Sequence, residues 1–497
     1  MAVKSYKPRA SILLKKNIGR QTIGDNIAAS ERFRGGEREV ELMPYLGQSG
    51  SITVAKNVRE PAGMWSVTLV DRMVEEFEDS LYGLIEPMDL VEIRFARDVS
   101  LYAGTTPKSM PLKMRGLVTS VRRDTIMTDQ GARRAIILSG HDYGKILQMM
   151  QVQYLPGFVN GQDLLTAFRF VMNYGPGAQA YDSAAAFIAS IVDEVVNKFI
   201  DGMREQAVAE GGAGASPIMP LGVDATDFGG GVSPFGVNQW PGGAIYDLMR
   251  YFGDVGPWAE LFIQDREEGP FLVYRPTPFK ALNGSLIQPG PEPKVVEVSD
   301  DALIQLSAER SDSGVANYYW VDAPRYALVS GALLQAAAQQ EGATGPTAPQ
   351  QGEYPNSAAK LYGLRIMKAE SQQGQRVDGQ PEAEYEDGRD KGVAMVEEKR
   401  AVLIANNKDN IVFEQGAMAL RGDERIEAGC YIRLTRTGAD DLISEHYAYQ
   451  VVHEFSMSGF TTSVNYDRGT GFIERMKRDR GVNSPYLAEL NVKGAYS

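Results

Sequence analysis

Histidine and cysteine are the residues to weigh first, because metal and thiol chemistry need them close together. The chain has three histidines, His141, His446 and His453, and one cysteine, Cys430. A zinc site takes several close His, Cys or carboxylate ligands. His446 and His453 lie seven positions apart on what reads as one strand. On a regular strand an odd separation puts two side chains on opposite faces, so these two do not share a metal. His141 follows a glycine at a strand end, in Ser139-Gly140-His141-Asp142-Tyr143-Gly144, where a polar turn residue is expected. Cys430 has no nucleophile motif and no histidine close in sequence, which argues against a thiol protease. A lone cysteine excludes an internal disulfide. Its place at the start of a strand over Tyr431 to Leu434 predicts a buried structural thiol.

Carboxylates come next. Glycoside hydrolysis needs two of them held across a cleft. Glu75, Glu76, Glu78 and Asp79 cluster, but they share one short segment and read as the solvated face of a helix near Val74 to Leu84. Glu382, Glu384, Glu386 and Asp387 sit in a flexible acidic run that offers no fixed geometry. With 64 acidic residues, close pairs are expected without function. Gly229 to Gly231 is a glycine run without the lysine-serine ending of a phosphate loop. The sequence therefore nominates no catalytic residue, no cofactor-binding residue and no metal ligand, and the chain is read as a non-enzyme without a cofactor.

The elements around these residues are mostly strands. In residues 1–150, Trp65, Val67 and Leu69 alternate with Ser66 and Thr68, and Val91, Ile93 and Phe95 alternate with Glu92 and Arg94. That period of two marks strands with one covered face. Further β-type runs lie at Ser51 to Val58, Met114 to Arg122 and Ala135 to Gly140, separated by turn residues that suit a small barrel or sandwich. Residues 151–290 differ. Ala184 to Met203 carries an apolar stripe from Phe187 to Met203 at helical spacing, read as core packing. Gln162 to Tyr174 and Ala244 to Phe252 read as further helices. Glycine and proline dominate Gly211 to Gly243, read as a long loop without regular elements that orders only against a neighbour or not at all. Leu272 to Phe279 is a short strand running into a rigid exit at Pro276 and Pro278.

A third region comprises residues 291–327 and 401–475. Val295 to Ser299 opens it, and Leu306 to Val321 should lie beside the strands after Ala401. Residues 328–400 read as a partly mobile insertion with Leu361 to Lys368 as its ordered element. From Tyr447 the odd positions Tyr447, Tyr449, Val451 and Phe455 are apolar and His453 breaks the set, again a strand with one covered face. Ser458-Gly459 turns it into a returning strand over Thr461 to Tyr466. Residues 476–497 are left as a C-terminal tail.

Several of these pieces carry a likeness. The order Leu420-Arg421-Gly422, Glu427-Ala428-Gly429, Tyr449 to His453, Gly459 to Val464 and Arg468 to Phe472 resembles the closing barrel of baseplate hub proteins from contractile-tailed bacteriophages. Leu272 to Phe279 resembles the end of the inserted domain in such hubs, and Leu306 to Val321 again resembles hub sequence. The resemblance implies an α+β, mainly β chain with two tube-type antiparallel β-barrel domains, a helix-containing inserted domain and a loop-rich insertion. It implies a homotrimer whose paired barrels give pseudo-sixfold symmetry. Such a ring adapts a hexameric tail tube protein to a trimeric central spike protein, contacts other baseplate components and leaves a channel for DNA in the virion tail. A headless injection device uses the same ring. The insertion at 328–400 and the loop at 211–243 carry no motif of that family. The alternative function is a peptidoglycan hydrolase of the tail tip.

Composition is compatible with that expectation. A chain of 497 residues exceeds one ordinary core, so several domains are expected. No apolar run reaches the length of a membrane span. A net charge of −13 argues against a dedicated nucleic-acid binder and suits a wall that DNA slides past. The first twenty residues hold six basic groups and no acid; they make a poor signal peptide and read either as an arm docking on an acidic neighbour or as a frayed tail.

Overall fold

The long strands Leu112–Thr128 and Leu442–Ser456 organise the chain. In this computed structural model the described residues are 6–17, 39–74, 79–102, 107–128, 131–152, 181–211, 216–232, 243–322, 354–373, 385–435 and 442–470. The expected helix over Gln162 to Tyr174, the carboxylates Glu75, Glu76, Glu78, Glu382 and Glu384, and the tail 476–497 lie outside them.

The first lobe is built from β1 (Arg9–Lys15), β2 (Glu39–Glu41), β3 (Ser51–Asn57), β4 (Met64–Val70), β7 (Leu90–Ala96), β8 (Leu112–Thr128) and β9 (Gly131–Asp142), with a small hairpin of β5 (Met73–Val74) and β6 (Asp79–Ser80) leading into one helical turn, α1 (Leu81–Leu84). Of the helix expected near Val74 to Leu84, the described residues show only the turn Leu81–Leu84, with Val74 and Asp79–Ser80 in strands. The basic N-terminus is neither arm nor frayed tail over residues 9–15. Ala10, Ile12 and Leu14 alternate into the core, and β1 pairs with both β7 and β2. Its lysines are used internally, Lys15 on Glu92 and Lys16 on Asp89.

The inserted module contains α2 (Gly144–Met149), β10 (Gln151–Val152), α3 (Ala184–Ile191), a π-helical turn at Val192–Val196 and α4 (Asn197–Gly211). It continues through β11 (Gly222–Ala225), β12 (Gly243–Ala244), α5 (Ile245–Phe252), β13 (Ala259–Arg266) and β14 (Gly269–Pro276). The apolar stripe of α3 to α4 is core. Phe187, Ile188, Ile191, Val192, Val195, Val196 and Ile200 are buried against α5 residues Leu248, Met249 and Phe252 and the hairpin β13–β14. The glycine-rich stretch is more regular than its composition suggests, because β11 adds a parallel strand to β14, from Gly222 opposite Phe271 to Ala225 opposite Tyr274.

The second lobe holds β15 (Val295–Ser299), β16 (Leu303–Glu309), β19 (Glu414–Arg421), β20 (Cys430–Thr435), β21 (Leu442–Ser456) and β22 (Gly459–Gly469). A satellite unit contains β17 (Tyr318–Asp322), α6 (Ala359–Tyr362), β18 (Ile366–Glu370) and α7 (Tyr385–Asn407). β16 lies beside β19, as expected of strands after Ala401, but β17 does not join that sheet. It pairs in parallel with β18 inside the insertion. The acidic run expected to be flexible overlaps the start of α7, a 23-residue helix that includes Glu386 and Asp387.

Two separate closed barrels are not formed by hydrogen bonds. The described strands of both lobes form one 13-stranded sheet, running β16-β19-β22-β21-β3-β4-β9-β8-β7-β1-β2, with β20 and then β15 branching from β21. The first lobe curls until Phe95 on β7 meets Phe460 with ring centroids 5.1 Å apart and Phe455 at 6.2 Å, so side chains complete the circuit. Aromatic contacts of this kind contribute about 0.5–1.5 kcal/mol each beyond area burial. In the second lobe β15 and β16 stand at opposite ends of their strand path, yet only the short turn Asp300–Ala302 joins them. The sheet must curl to bring those ends together.

β21 is the shared strand. Its first half pairs with β20 and its second half with β3 along one edge, while β22 lines the other edge from Tyr447 to Ser456. A bulge at Tyr449 separates the halves, where Ala448 faces Tyr466 and Gln450 faces Asn465. One extra residue reverses which parity points inward. Ser444, His446 and Ala448 are buried before it, and Val451, His453 and Phe455 after it.

Candidate functional site

The bulge corrects the expectation for the histidines. With one residue looped out, His446 and His453 point to the same side of the sheet, not to opposite sides. Seven strand residues still separate them by roughly 20 Å, and each ring has its own partners. His453 Nε2 lies 3.1 Å from the Ile426 carbonyl oxygen and Nδ1 lies 3.0 Å from Thr462 Oγ1. Thr462 Oγ1 already accepts from the Asp423 amide, so its hydroxyl donates to Nδ1 and the proton of the neutral ring sits on Nε2. His446 meets Ser444 Oγ at 2.7 Å and packs edge-on to Tyr466. Burial pulls both rings down to about 3, so both are neutral near pH 7. His141 is not a turn residue. It belongs to β9, paired with Leu117 and Met64, and burial lowers its pKa. Cys430 is buried, and burial pushes its thiol up to about 11, as expected of a structural cysteine. No group of three or more His, Cys, Asp or Glu that could hold a metal occurs among the described residues. The side chains of Asp79, Glu386 and Asp387 are not among those described.

The residues that do converge are charged side chains at the seams between modules, and the sequence pointed to none of them. One seam joins the inserted module to the first lobe. Lys56 on β3 reaches Asp142 at 2.5 Å and Asp265, at the end of β13, at 2.7 Å. Burial works against the lysine's charge, and the two carboxylates more than offset it, so its pKa is raised. Asp142 also accepts from the amides of Gly63 and Gly144, each at 2.9 Å. Arg94 on β7 makes a two-pronged contact with Glu267 in the β13–β14 turn, both bonds 2.8 Å. Arg115 bonds Glu92 and the carbonyl of Arg266. This explains why Glu92 and Arg94, the polar face of an alternating strand, are both buried: the β13–β14 hairpin covers that face.

A second seam joins the inserted module to the second lobe. Arg275, at the end of β14, donates to Glu260 at 3.0 and 3.1 Å, to the Gly429 carbonyl at 2.9 Å and to the Tyr447 hydroxyl at 3.3 Å. The Tyr447 hydroxyl in turn bonds Glu260. Tyr447 is therefore buried on the face opposite His446, so the start of β21 is covered on both faces and not one. Lys280 and Arg433 converge on Glu445. Lys113 of β8 bonds Glu427 at 2.6 Å and ties the two lobes directly; burial would raise that carboxyl, but Lys113 and Lys294 outweigh it and hold it below its usual value.

A third seam fixes the satellite unit. Asp254, in the left-handed region at φ +51°, accepts from Lys399 of α7 at 2.5 Å and from Ser371 at 2.6 Å. Gln373 receives Lys399 at 3.0 Å and the amide of Gly230 at 2.9 Å. The Gly229 to Gly231 run thus packs on a glutamine side chain, and a Cβ at Gly229 would meet Gln373 Oε1 at 2.4 Å. Trp258 Nε1 donates to the Lys399 carbonyl.

Chemically these seams hold position. Lysine and arginine partners hold Glu92, Glu267 and Glu427 below the usual carboxylate range against burial, whereas burial and the neighbouring Asp265 raise Asp142. A cavity of about 50 Å³ lies where the two lobes meet the inserted module, lined by Lys56, Lys113, Phe262, Asp265, Glu427 and His453. That is room for water and far below the hundreds of cubic ångströms of a ligand pocket. No helix among the described residues is long and apolar enough to cross a membrane.

No protein-family model matches the sequence, and no curated protein does. The structure is similar to solved tail proteins over most of its length. The 43 kDa tail protein of prophage MuSo2 from Shewanella oneidensis aligns at 11% identity, covering 94% of this chain and 98% of that one, with a TM-score of 0.42. A tail protein from Neisseria meningitidis MC58 aligns at 11% identity over 93% and 97%, with a TM-score of 0.42. A component of the type VI secretion system of E. coli, described as structurally similar to the T4 bacteriophage tail proteins gp27 and gp5, aligns at 7% identity over 85% and 75%, with a TM-score of 0.33.

Proposed function

We propose that this chain is a structural hub of a contractile tail. Three copies form a ring that joins a six-fold tube to a three-fold spike and leaves a passage for DNA. The observation that carries this reading is the shared strand β21, which fuses two curled sheets into one body, so that three chains offer six similar places. In the assembled ring each lobe acts as a tube-type barrel domain, residues 1–150 for the first and residues 291–327 with 401–475 for the second. Residues 151–290 and 328–400 face the surrounding baseplate.

The motif residues support the same reading by where they sit. Gly422 packs on Phe460, with a Cβ there lying 2.1 Å from the ring. Gly429 offers its carbonyl to Arg275, and His453 bonds Thr462. Tyr449, the bulged residue, lies under Arg59 at 4.1 Å. These are joints between strands and modules, which is where a protein that works by shape needs its fixed residues. The acidic balance of the chain favours a passage lined with few Lys and Arg, past which DNA moves without sticking.

Light scattering on the purified full chain, alone and with its spike, tests the ring: three copies are expected, and a stable monomer under both conditions overturns it. A cryo-EM reconstruction of the assembled tail tip tests the passage, and a basic lumen would contradict that part. Peptidoglycan turnover by the purified chain, abolished by one carboxylate substitution, would replace this reading with that of a tail-tip hydrolase.

A further inference from the structure

Two exposed β edges stand out among the described residues. The first is the outer half of the β8–β9 hairpin. β7 accompanies β8 only as far as Leu117, and β4 accompanies β9 only from Ala135. Beyond those points the two strands pair with each other alone, out to Thr128 opposite Gly131. Ile126 and Met127 project to opposite faces of this ribbon and are 64% and 78% exposed. A two-stranded ribbon with uncovered apolar residues is marginal in water. The second is β16, the end strand of the sheet. It has β19 on one side and no strand on the other, and residues 304–309 are exposed on both faces, with Ile304 at 63% and Leu306 at 38%. An open edge carrying apolar side chains is a ready template for another strand.

Charge pairs the two. Residues 122–134 hold four arginines against two aspartates, with Arg122 on Asp124 and Arg123 on Asp71, whereas residues 300–310 hold three acids against one arginine. Both surfaces are exposed in one and the same molecule, so neither covers the other within a chain. We infer that the β8–β9 ribbon of one copy docks on the β16 edge of a second copy of this chain, Ile126 and Met127 against Ile304 and Leu306, with the arginines of the ribbon beside Asp301 and Glu309. Such a contact is head-to-tail, and it closes into a ring only when the rotation between copies allows. The inference deepens the hub reading and rests on it for the number of copies.

The test uses the full chain with cysteines at exposed positions and a short bis-maleimide. The wild type, whose one thiol is buried, supplies the background. Met127→Cys protein mixed with Ile304→Cys protein is expected to give a covalent dimer at least about ten-fold above either protein alone, the difference between a specific contact and random collision. The double variant is expected to give a ladder that stops at three. A double variant that cross-links only within one chain overturns the docking, because the ribbon then reaches its own edge. Three copies by light scattering without the mixed dimer also overturns it while leaving the ring standing. A ladder that runs past three upholds the docking and overturns the ring. A monomer without cross-links overturns both.

Discussion

Arg275 donates to the carbonyl oxygen of Gly429 at 2.9 Å, and Gly429 has no space for a side chain beneath it: a Cβ there would lie 2.5 Å from the same guanidinium nitrogen. Gly429 also holds φ at +86°, in the left-handed region. One glycine thus serves as hydrogen-bond acceptor, turn residue and clearance for the arginine that locks the inserted module to the second lobe.

Replacing Gly429 by alanine should therefore cost more than strain alone. The backbone conformation accounts for about 1–2 kcal/mol, and displacing Arg275 adds the loss of its contact. The expected result is a urea midpoint lowered by more than a control alanine substitution at exposed Gly202, where nothing lies within 4 Å of the added carbon. An unchanged midpoint would mean that the seam is not coupled to global unfolding.

The guanidinium itself should resist conservative exchange. Arg275→Ala leaves Glu260 buried with only Tyr447 against it, a loss of about 3–5 kcal/mol. Arg275→Lys keeps the charge but cannot serve Glu260, Gly429 and Tyr447 together, because an ammonium lacks the planar fork. Thermal unfolding should rank wild type above lysine above alanine. Equal lysine and wild-type values would show that charge alone matters.

Acid should weaken the chain through His446 and His453. Their rings are held at about 3 when folded and return toward 6.5 when unfolded. Between those values the unfolded state binds more protons, so stability falls as pH falls, by up to about 1.4 kcal/mol per pH unit for each ring. At pH 6.5 the slope has fallen to half, and by about pH 7.5 the two rings contribute almost none. From pH 7.5 to 5.0 the pair accounts for about 4 kcal/mol. Urea titrations at the two pH values check this, and the His446→Gln/His453→Gln double variant should show a shallower dependence. Glu92 and Glu427, held below the usual carboxylate range against burial by their lysine and arginine partners, add losses in the same direction at lower pH.

Lys56 answers two buried carboxylates at once. Lys56→Met removes the counter-charge from Asp142 and Asp265 and should cost about 3–5 kcal/mol. Adding Asp265→Asn removes one of the stranded charges, so the double variant should be more stable than Lys56→Met alone. If the second substitution lowers stability further, the triad is not a unit.

Much of the strand pattern was legible because alternation survives wherever one face is solvent. Trp65, Val67 and Leu69 declare their faces without help, whereas Ile12 and Leu14 were hidden in a stretch read as an arm or a tail. The pattern failed where a second layer covers the outer face. Glu92 and Arg94 looked like a wet face, but the β13–β14 hairpin lies over it. It failed again at Tyr449, where one looped-out residue swaps the parity of the rest of β21 and brings two histidines to one side. Nothing local marks that bulge. The seam residues were illegible for a related reason: Lys56, Asp142 and Asp265 are ordinary charges in sequence, up to 209 positions apart, and acquire meaning only when the inserted module meets the first lobe. Asp142, two residues before Gly144 at a strand-to-helix turn, carried the one available hint.

The strand that serves both lobes also decides how the molecule bears load. A pull along β21 meets backbone hydrogen bonds on both of its edges, all of them sheared together instead of opened one after another. Bending between the lobes meets the same ladder, so there is no hinge at that point to absorb a thrust. A push delivered to one lobe is passed to the other as displacement, not lost as flexing.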